Sequence, residues 1–126
     1  MRLALIQMSD SGSMESNIEK SINSIKEAAC QGADLVLFPE VQLTEFFPQY
    51  PGRDVTDKLL TTEHPIVQRF QETCRSCGIM AAPNFYLQEP GGRFDTTLLI
   101  GSDGALLGQQ KMVHIAQACQ FCEQDY

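Results

Sequence analysis

The 126-residue chain is 43% hydrophobic and 20% charged, the balance of a globular domain and not of a disordered segment. Its formal net charge is −7 and its pI about 4.6, with no basic cluster, which argues against nucleic acid and anionic membrane as partners. Residues 1–7 hold one basic residue and a short apolar run, too little for a secretory signal or a membrane span, so a cytoplasmic location with five free thiols is expected.

Residues 2–8 form an apolar run closed by Ser9, Asp10, Ser11, Gly12 and Ser13, the pattern of a buried strand. Ile18, Ile22, Ile25 and Ala29 recur at helical steps and predict a helix over residues 14–31. Ser13 stands where it would cap the start, Glu15 falls in the first turn and Gly32 follows the end. Leu35, Val36, Leu37 and Phe38 run without a polar break until Pro39, as in a strand buried on both faces. Strand, helix, strand in this order is a βαβ unit, and such units build parallel sheets. Residues 41–63 are irregular and include Phe46, Phe47 and Tyr50. Pro65 opens a second helix whose one face carries Val67, Phe70, Cys74 and Cys77, and Gly78 closes it. Residues 79–82 make another buried strand and Gly91-Gly92 a turn. Residues 96–100 and 105–109 are two short strands joined by a hairpin through Gly101-Ser102-Asp103-Gly104. The expected order is β-α-β-loop-α-β-β-β, ending in a polar tail with no terminating element.

Glu40 directly follows a buried strand and a proline. Functional groups gather at the carboxyl ends of strands in open α/β sheets. A carboxylate partly stripped of water there has a raised pKa and can serve as a general base; a solvated loop glutamate accounts for the same position. Lys111 could stabilise an oxyanion near a glutamate, or simply end a strand at the surface. His114 is open to structural, pocket-wall and acid–base roles. Phe46, Phe47 and Tyr50 could wall a pocket or pack as core or interface aromatics. Cys74-x-x-Cys77 and Cys119-x-x-Cys122 offer the thiolates of a zinc site, but the gap between them is far longer than in a zinc ribbon, and no metal is expected. Cys122 beside Glu123 is a candidate nucleophile with no cation close to it except Lys111.

Several segments point the same way. Residues 2–8 are similar to the opening strand of nitrilase-superfamily amidases, and Asn17 falls where the first helix of that family often carries asparagine. Gly32-Ala33-Asp34-Leu35-Val36-Leu37-Phe38-Pro39-Glu40 closely resembles its first catalytic signature. Gly104, Gly108, Lys111 and His114 resemble the stretch leading to its catalytic lysine. Residues 121–126 resemble the segment after that lysine, where many members carry a second glutamate, here Glu123. Along essentially its whole length the chain thus resembles the nitrilase superfamily of carbon–nitrogen hydrolases, in the amidase and N-carbamoyl-amine amidohydrolase branch. The resemblance implies an α-β-β-α sandwich, hydrolysis of a non-peptide C–N bond in a small amide or carbamoyl compound, and no metal or organic cofactor. In the family a cysteine thiolate attacks the carbon, a glutamate shuttles the proton and a lysine stabilises the tetrahedral intermediate. By this resemblance Glu40 is the general base, Lys111 the oxyanion stabiliser and Glu123 a supporting carboxylate, with Phe46 and His114 as candidate pocket residues.

The chain departs from the family pattern in three places. Members commonly show Lys-x-His, whereas Met112 and Val113 separate Lys111 from His114. Alignment from Gly108 without a gap puts Met112 at the lysine position, and a local shift assigns Lys111. Phe94-Asp95 stands where many members have Tyr-Asn. None of the five cysteines matches the nucleophile, which in the family lies well downstream of the lysine. Residues 1–126 are therefore expected to be a partial carbon–nitrogen hydrolase domain, the N-terminal part of the α/β sandwich with its second half missing, inactive alone and prone to homo-association through uncovered sheet. The competing readings are a non-catalytic α/β assembly or binding module and a zinc-stabilised domain.

Overall fold

In the computed structural model, which describes Met1–Tyr126, the first helix, α1, covers Met14–Cys30. Its amino end is capped as its sequence predicts: the Ser16 N–H donates to Ser13 Oγ at 3.2 Å. Ile18, Ile22 and Ile25 are buried along one face, Ala28 completes the stripe, and Ala29 is half-buried beside it. The second helix, α2, spans Pro65–Cys77 and starts on proline, where the missing N–H would have had no partner anyway. His64 caps it, Nδ1 accepting from the Ile66 N–H at 3.2 Å. Gly78 ends it at φ 66°, a left-handed position that suits glycine.

The strands β1 (Leu3–Leu5), β2 (Leu35–Leu37) and β3 (Met80–Ala82) pair in parallel in that order, so the βαβ reading holds. Three antiparallel strands extend the sheet: β4 (Asn84–Glu89), β5 (Gly92–Ile100) and β6 (Leu106–Lys111). β5 meets β3 at Ile100 and carries β4 and β6 along its length. Both helices cover one face, where Val36, Ala81, Phe85, Leu87 and Leu98 meet Phe70 and the isoleucines of α1 in a single core. The opposite face is barely covered near β1, where Leu3 and Leu5 stay 46% and 74% exposed. No helix is long and apolar enough to cross a membrane.

Two elements differ from the sequence-based expectation. β4 is absent from it, and β5 begins at Gly92 rather than at residue 96. Asn84, Phe85, Tyr86 and Leu87 are all buried, so no alternation marks them as a strand. Phe85 and Leu87 join the helix-side core, while Tyr86 packs with Val41, Phe47 and Val55 on the other side of the sheet. The tail is also structured: β7 (Gln117–Ala118) and β8 (Phe121–Cys122) form a hairpin, and a 3₁₀ turn follows over Glu123–Asp125. Aromatic contacts dock it, with Phe121 against Phe46 at 6.0 Å and Tyr126 against Phe47 at 5.0 Å between ring centres. The Tyr126 hydroxyl donates to the Tyr50 carbonyl at 2.6 Å.

Ile25 is fully buried between α1 and the sheet. Ile25→Ala is expected to cost about 2–5 kcal/mol, read as a lowered urea midpoint in circular dichroism. Leu5→Ser, on the uncovered face, should stay within about 0.5 kcal/mol of the parent.

Candidate active site

Glu40 leaves β2 through Pro39 and is followed by Val41 at φ 39°. A β-branched residue rarely takes a left-handed conformation, and strain of this kind costs on the order of 1–3 kcal/mol that the surroundings must offset. Those surroundings are buried and polar. The Val41 N–H donates to Asn84 Oδ1 at 2.6 Å, and the Asn84 N–H donates to Gln42 Oε1 at 2.9 Å. The Asn84 amide then donates to Asp95 Oδ1 at 2.7 Å and to Thr97 Oγ1 at 3.1 Å. From the helix side, buried Asn17 donates to the Leu43 carbonyl at 3.1 Å and to Asp10 Oδ1 at 2.6 Å. The turn carrying Glu40 is thus pinned to β4, β5 and α1.

A cavity of about 60 Å³ opens beside this turn, lined among others by Glu40, Tyr86, Asp95, Met112 and Glu123. Glu40 is exposed over its surface as a whole, yet its carboxyl end loses water among these groups, and that local loss governs its chemistry. Burial, then the charges of Asp95 and Glu123, push Glu40 above the usual glutamate value. Burial likewise raises Asp95, opposed by the Asn84 hydrogen bond and reinforced by Glu123. Tyr86 is raised by burial, and the Arg93 guanidinium offsets part of this without making a bond of acceptable geometry to the hydroxyl, which is buried and unpartnered. Arg93 is the one cation lining the cavity.

The structure brings Glu40 and Glu123 together but leaves other predicted site residues elsewhere. Lys111 pairs with Thr96, whose side of the sheet faces the helices. Its ammonium lies 2.5 Å from Glu89 and 3.9 Å from the centre of the Phe94 ring. Lys111 borders a shallow cleft next to Glu40, but its charge is committed to Glu89. Strand alternation turns the next residue, Met112, to the Asp95 side, and the Met112 N–H donates to the Asp95 carbonyl at 2.9 Å. Met112 therefore lines the cavity with Glu40, whereas Lys111 lines only the cleft beside it, which it shares with Glu40 and Asp95. His114 is exposed and Phe46 packs on Phe121; neither lines the cavity, and Phe47 takes the wall position expected of Phe46.

The two CxxC pairs stay apart: Cys74 is in the core and Cys119 and Cys122 are on the tail, and no three His, Cys, Asp or Glu side chains gather as metal ligands. The zinc-site reading is set aside on that geometry. None of the five cysteines lines the cavity, and burial pushes the Cys74 thiol up to about 12. Asn84 and Asp95 are functional candidates that sequence reasoning missed. The sole available signal was Asp95 in place of the family's asparagine.

Comparison with known proteins agrees with this architecture. The family model described as carbon-nitrogen hydrolase matches residues 2–126. The omega-amidase NIT2 of Pongo abelii is 30% identical over 123 residues, covering 90% of this chain and 40% of that protein. The citrullinase of Francisella tularensis is 24% identical over 127 residues, covering 100% of this chain and 44% of that protein. The chain spans about 40% of the length of the omega-amidases it matches. Among solved structures, a carbon-nitrogen hydrolase from Helicobacter pylori G27 superposes over 100% of this chain and 44% of its own, with a TM-score of 0.88 at 18% identity. An amidase from Nesterenkonia superposes over 95% of this chain and 45% of its own, with a TM-score of 0.74 at 23% identity. One structure of a glutamate-to-glutamine mutant of that amidase carries the acetamide moiety of fluoroacetamide on its active-site cysteine.

The raised pKa of Glu40 has a consequence for stability. The fold favours the protonated form, so Glu40's contribution is fully present below its ordinary value of 4.5 and is lost as pH rises through the raised value. Glu40→Gln keeps the neutral shape at every pH. Its melting temperature is expected to gain on the parent from about pH 4 to pH 8; parallel curves would contradict the crowding of charge at this position.

Proposed function

We propose, since this chain belongs to the carbon–nitrogen hydrolase family, that residues 1–126 form the carboxylate side of an amide-hydrolysing site. The observation that carries this reading is Glu40 itself, held in a strained turn at a strand end beside a cavity, with its pKa raised. Such a carboxyl can take a proton from an attacking thiol and return it to a departing amine. In the reaction a thiolate sulfur adds to the amide carbon, the C–N bond breaks as the nitrogen takes that proton, and water cleaves the resulting thioester. Glu40 is the proton shuttle and Glu123 its supporting carboxylate. Glu123 is anchored by the Ala116 N–H, which donates to its Oε2 at 2.7 Å.

The thiol is the missing partner. With no cysteine on the cavity, residues 1–126 hold an amide or carbamoyl compound without turning it over. Further support comes from the superposition on the Nesterenkonia amidase, whose active-site cysteine reacts with fluoroacetamide in a glutamate-to-glutamine mutant. The five free cysteines favour the reducing cytoplasm, and the exposed Leu3 and Leu5 favour homo-association. A second reading, a non-catalytic binding module, is favoured by Met112 on the cavity wall beside Glu40, where a cation would stabilise an oxyanion.

Incubation of the purified chain with butanamide separates these readings. The expected result is perturbation of the Glu40 and Asp95 amide signals in NMR with no ammonia above the buffer blank. Ammonia release abolished by Cys122→Ala would show that the chain carries its own nucleophile. Absence of any perturbation at Glu40 would overturn the amide-site reading.

A further inference from the structure

The cavity beside Glu40 is small, about 60 Å³, whereas sites for small molecules commonly measure about 300–1,000 Å³. A wall must therefore move before a ligand enters. Most of the wall is tied into the main sheet. Asn84 pins Val41 next to Glu40, Tyr86 and Asp95 are paired neighbours on β4 and β5, and the Met112 N–H is bonded to the Asp95 carbonyl. Ile115, Glu123 and Tyr126 are different. They belong to residues 113–126, whose strands β7 and β8 pair only with each other. No backbone–backbone hydrogen bond joins these residues to the rest of the chain.

One loop holds the segment from outside. The Tyr126 hydroxyl donates to the Tyr50 carbonyl at 2.6 Å and accepts from the Arg53 N–H at 3.2 Å. Asp125 Oδ2 accepts from the Gly52 N–H at 3.0 Å. The rings of Phe121 and Tyr126 stand edge-on to Phe46 and Phe47. These hydrogen bonds are exposed, the kind that open locally at small cost. Underneath, closure brings Glu123 into the space of Glu40 and Asp95 and works against the latch.

We propose that residues 113–126 are a strap over the cavity, hinged after Met112 and latched on residues 50–53 by Tyr126 and Asp125, and that ionisation of the carboxyls beneath loosens it. The inference rests on the amide-site reading above and adds how the ligand enters. Glu123 raises both Glu40 and Asp95, so the closed strap is favoured while they are protonated and loosens as pH rises through their raised values. Arg93 and Tyr86 also face the cavity; the first stays charged and the second, raised by burial, stays neutral over that range. At the latch stand Asp125 and the Arg53–Glu45 pair, and His114 is exposed on the strap itself.

The Gly52 amide signal of the isotopically labelled full chain reports the latch, because its partner is Asp125 and not the residue substituted. Tyr126→Phe keeps the ring, removes the latching hydroxyl and is expected to shift the Gly52 signal to an open position. From pH 4.5 to 8 the parent's Gly52 signal should travel towards that position. Glu123→Gln keeps an oxygen for the Ala116 N–H and should show about half that travel or less, while His114→Gln should travel as the parent does. A Gly52 signal that stays still in the parent, that Tyr126→Phe leaves in place, or whose travel needs His114 would overturn the strap. Butanamide perturbing Glu40 while the latch stays still would overturn the strap and leave the amide site standing. A moving latch with no perturbation at Glu40 would overturn the amide site and leave the strap.

Discussion

Asn84 spends its whole side chain on holding three segments together. Its Oδ1 takes the Val41 N–H, and its amide nitrogen serves Asp95 and Thr97. Its backbone N–H donates to Gln42 Oε1, so the turn after β2 is bonded to β4 at both Val41 and Gln42. A valine at φ 39° persists only where neighbours over-determine it. The bonds from Asn84 meet that condition and set Glu40 at the mouth of a cavity instead of on a free loop. The same amide group draws Asp95 into place, so one residue fixes the position of two carboxyls that repel each other.

That repulsion gives the site its character. Removal from water and neighbouring charge act in the same direction on Glu40 and favour its protonated form. In a hydrolase of this family a lysine is expected to share such a space. Here the Lys111 ammonium is engaged by Glu89 and Phe94 and borders the cleft that holds Glu40 and Asp95, while Met112 lines the cavity itself. A shift of one residue along a strand exchanges the two faces, so the identity of the residue that lines the cavity with Glu40 depends on register. The carboxyls of Glu40 and Asp95 are thus crowded against Glu123, with Arg93 the one cation lining the cavity.

Much of the fold was legible in the sequence because local signals agreed with tertiary packing. Ser13, Pro65 and Gly78 mark helix ends by backbone chemistry alone, and the isoleucines of α1 repeat at the period of a helix. Glu40 was legible through Phe38-Pro39-Glu40 after a βαβ unit. β4 was not, because a strand buried on both faces loses the alternation that would reveal it. The face on which Lys111 stands was not legible for a related reason. A bulge between Leu99 and Ile100 shifts the β5–β6 register, so parity cannot be counted from the hairpin at Asp103-Gly104. The ungapped count from Gly108 reaches Met112, which lines the cavity, and the shifted count reaches Lys111, which borders the cleft beside it. The tail hairpin escaped notice because its docking depends on two aromatic residues, Phe121 and Tyr126, in an otherwise polar stretch. Asn84 carries no local signal of function and Asp95 only its departure from Tyr-Asn; their places arise from pairing between strands.

A carboxyl-carbon NMR titration of Glu40, Asp95 and Glu123 tests the central claim most directly. Crowded, uncompensated carboxyls predict midpoints for Glu40 and Asp95 above their ordinary values of 4.5 and 3.8, with Asp95→Asn lowering that of Glu40. Ordinary midpoints for both, unmoved by that substitution, would contradict the account.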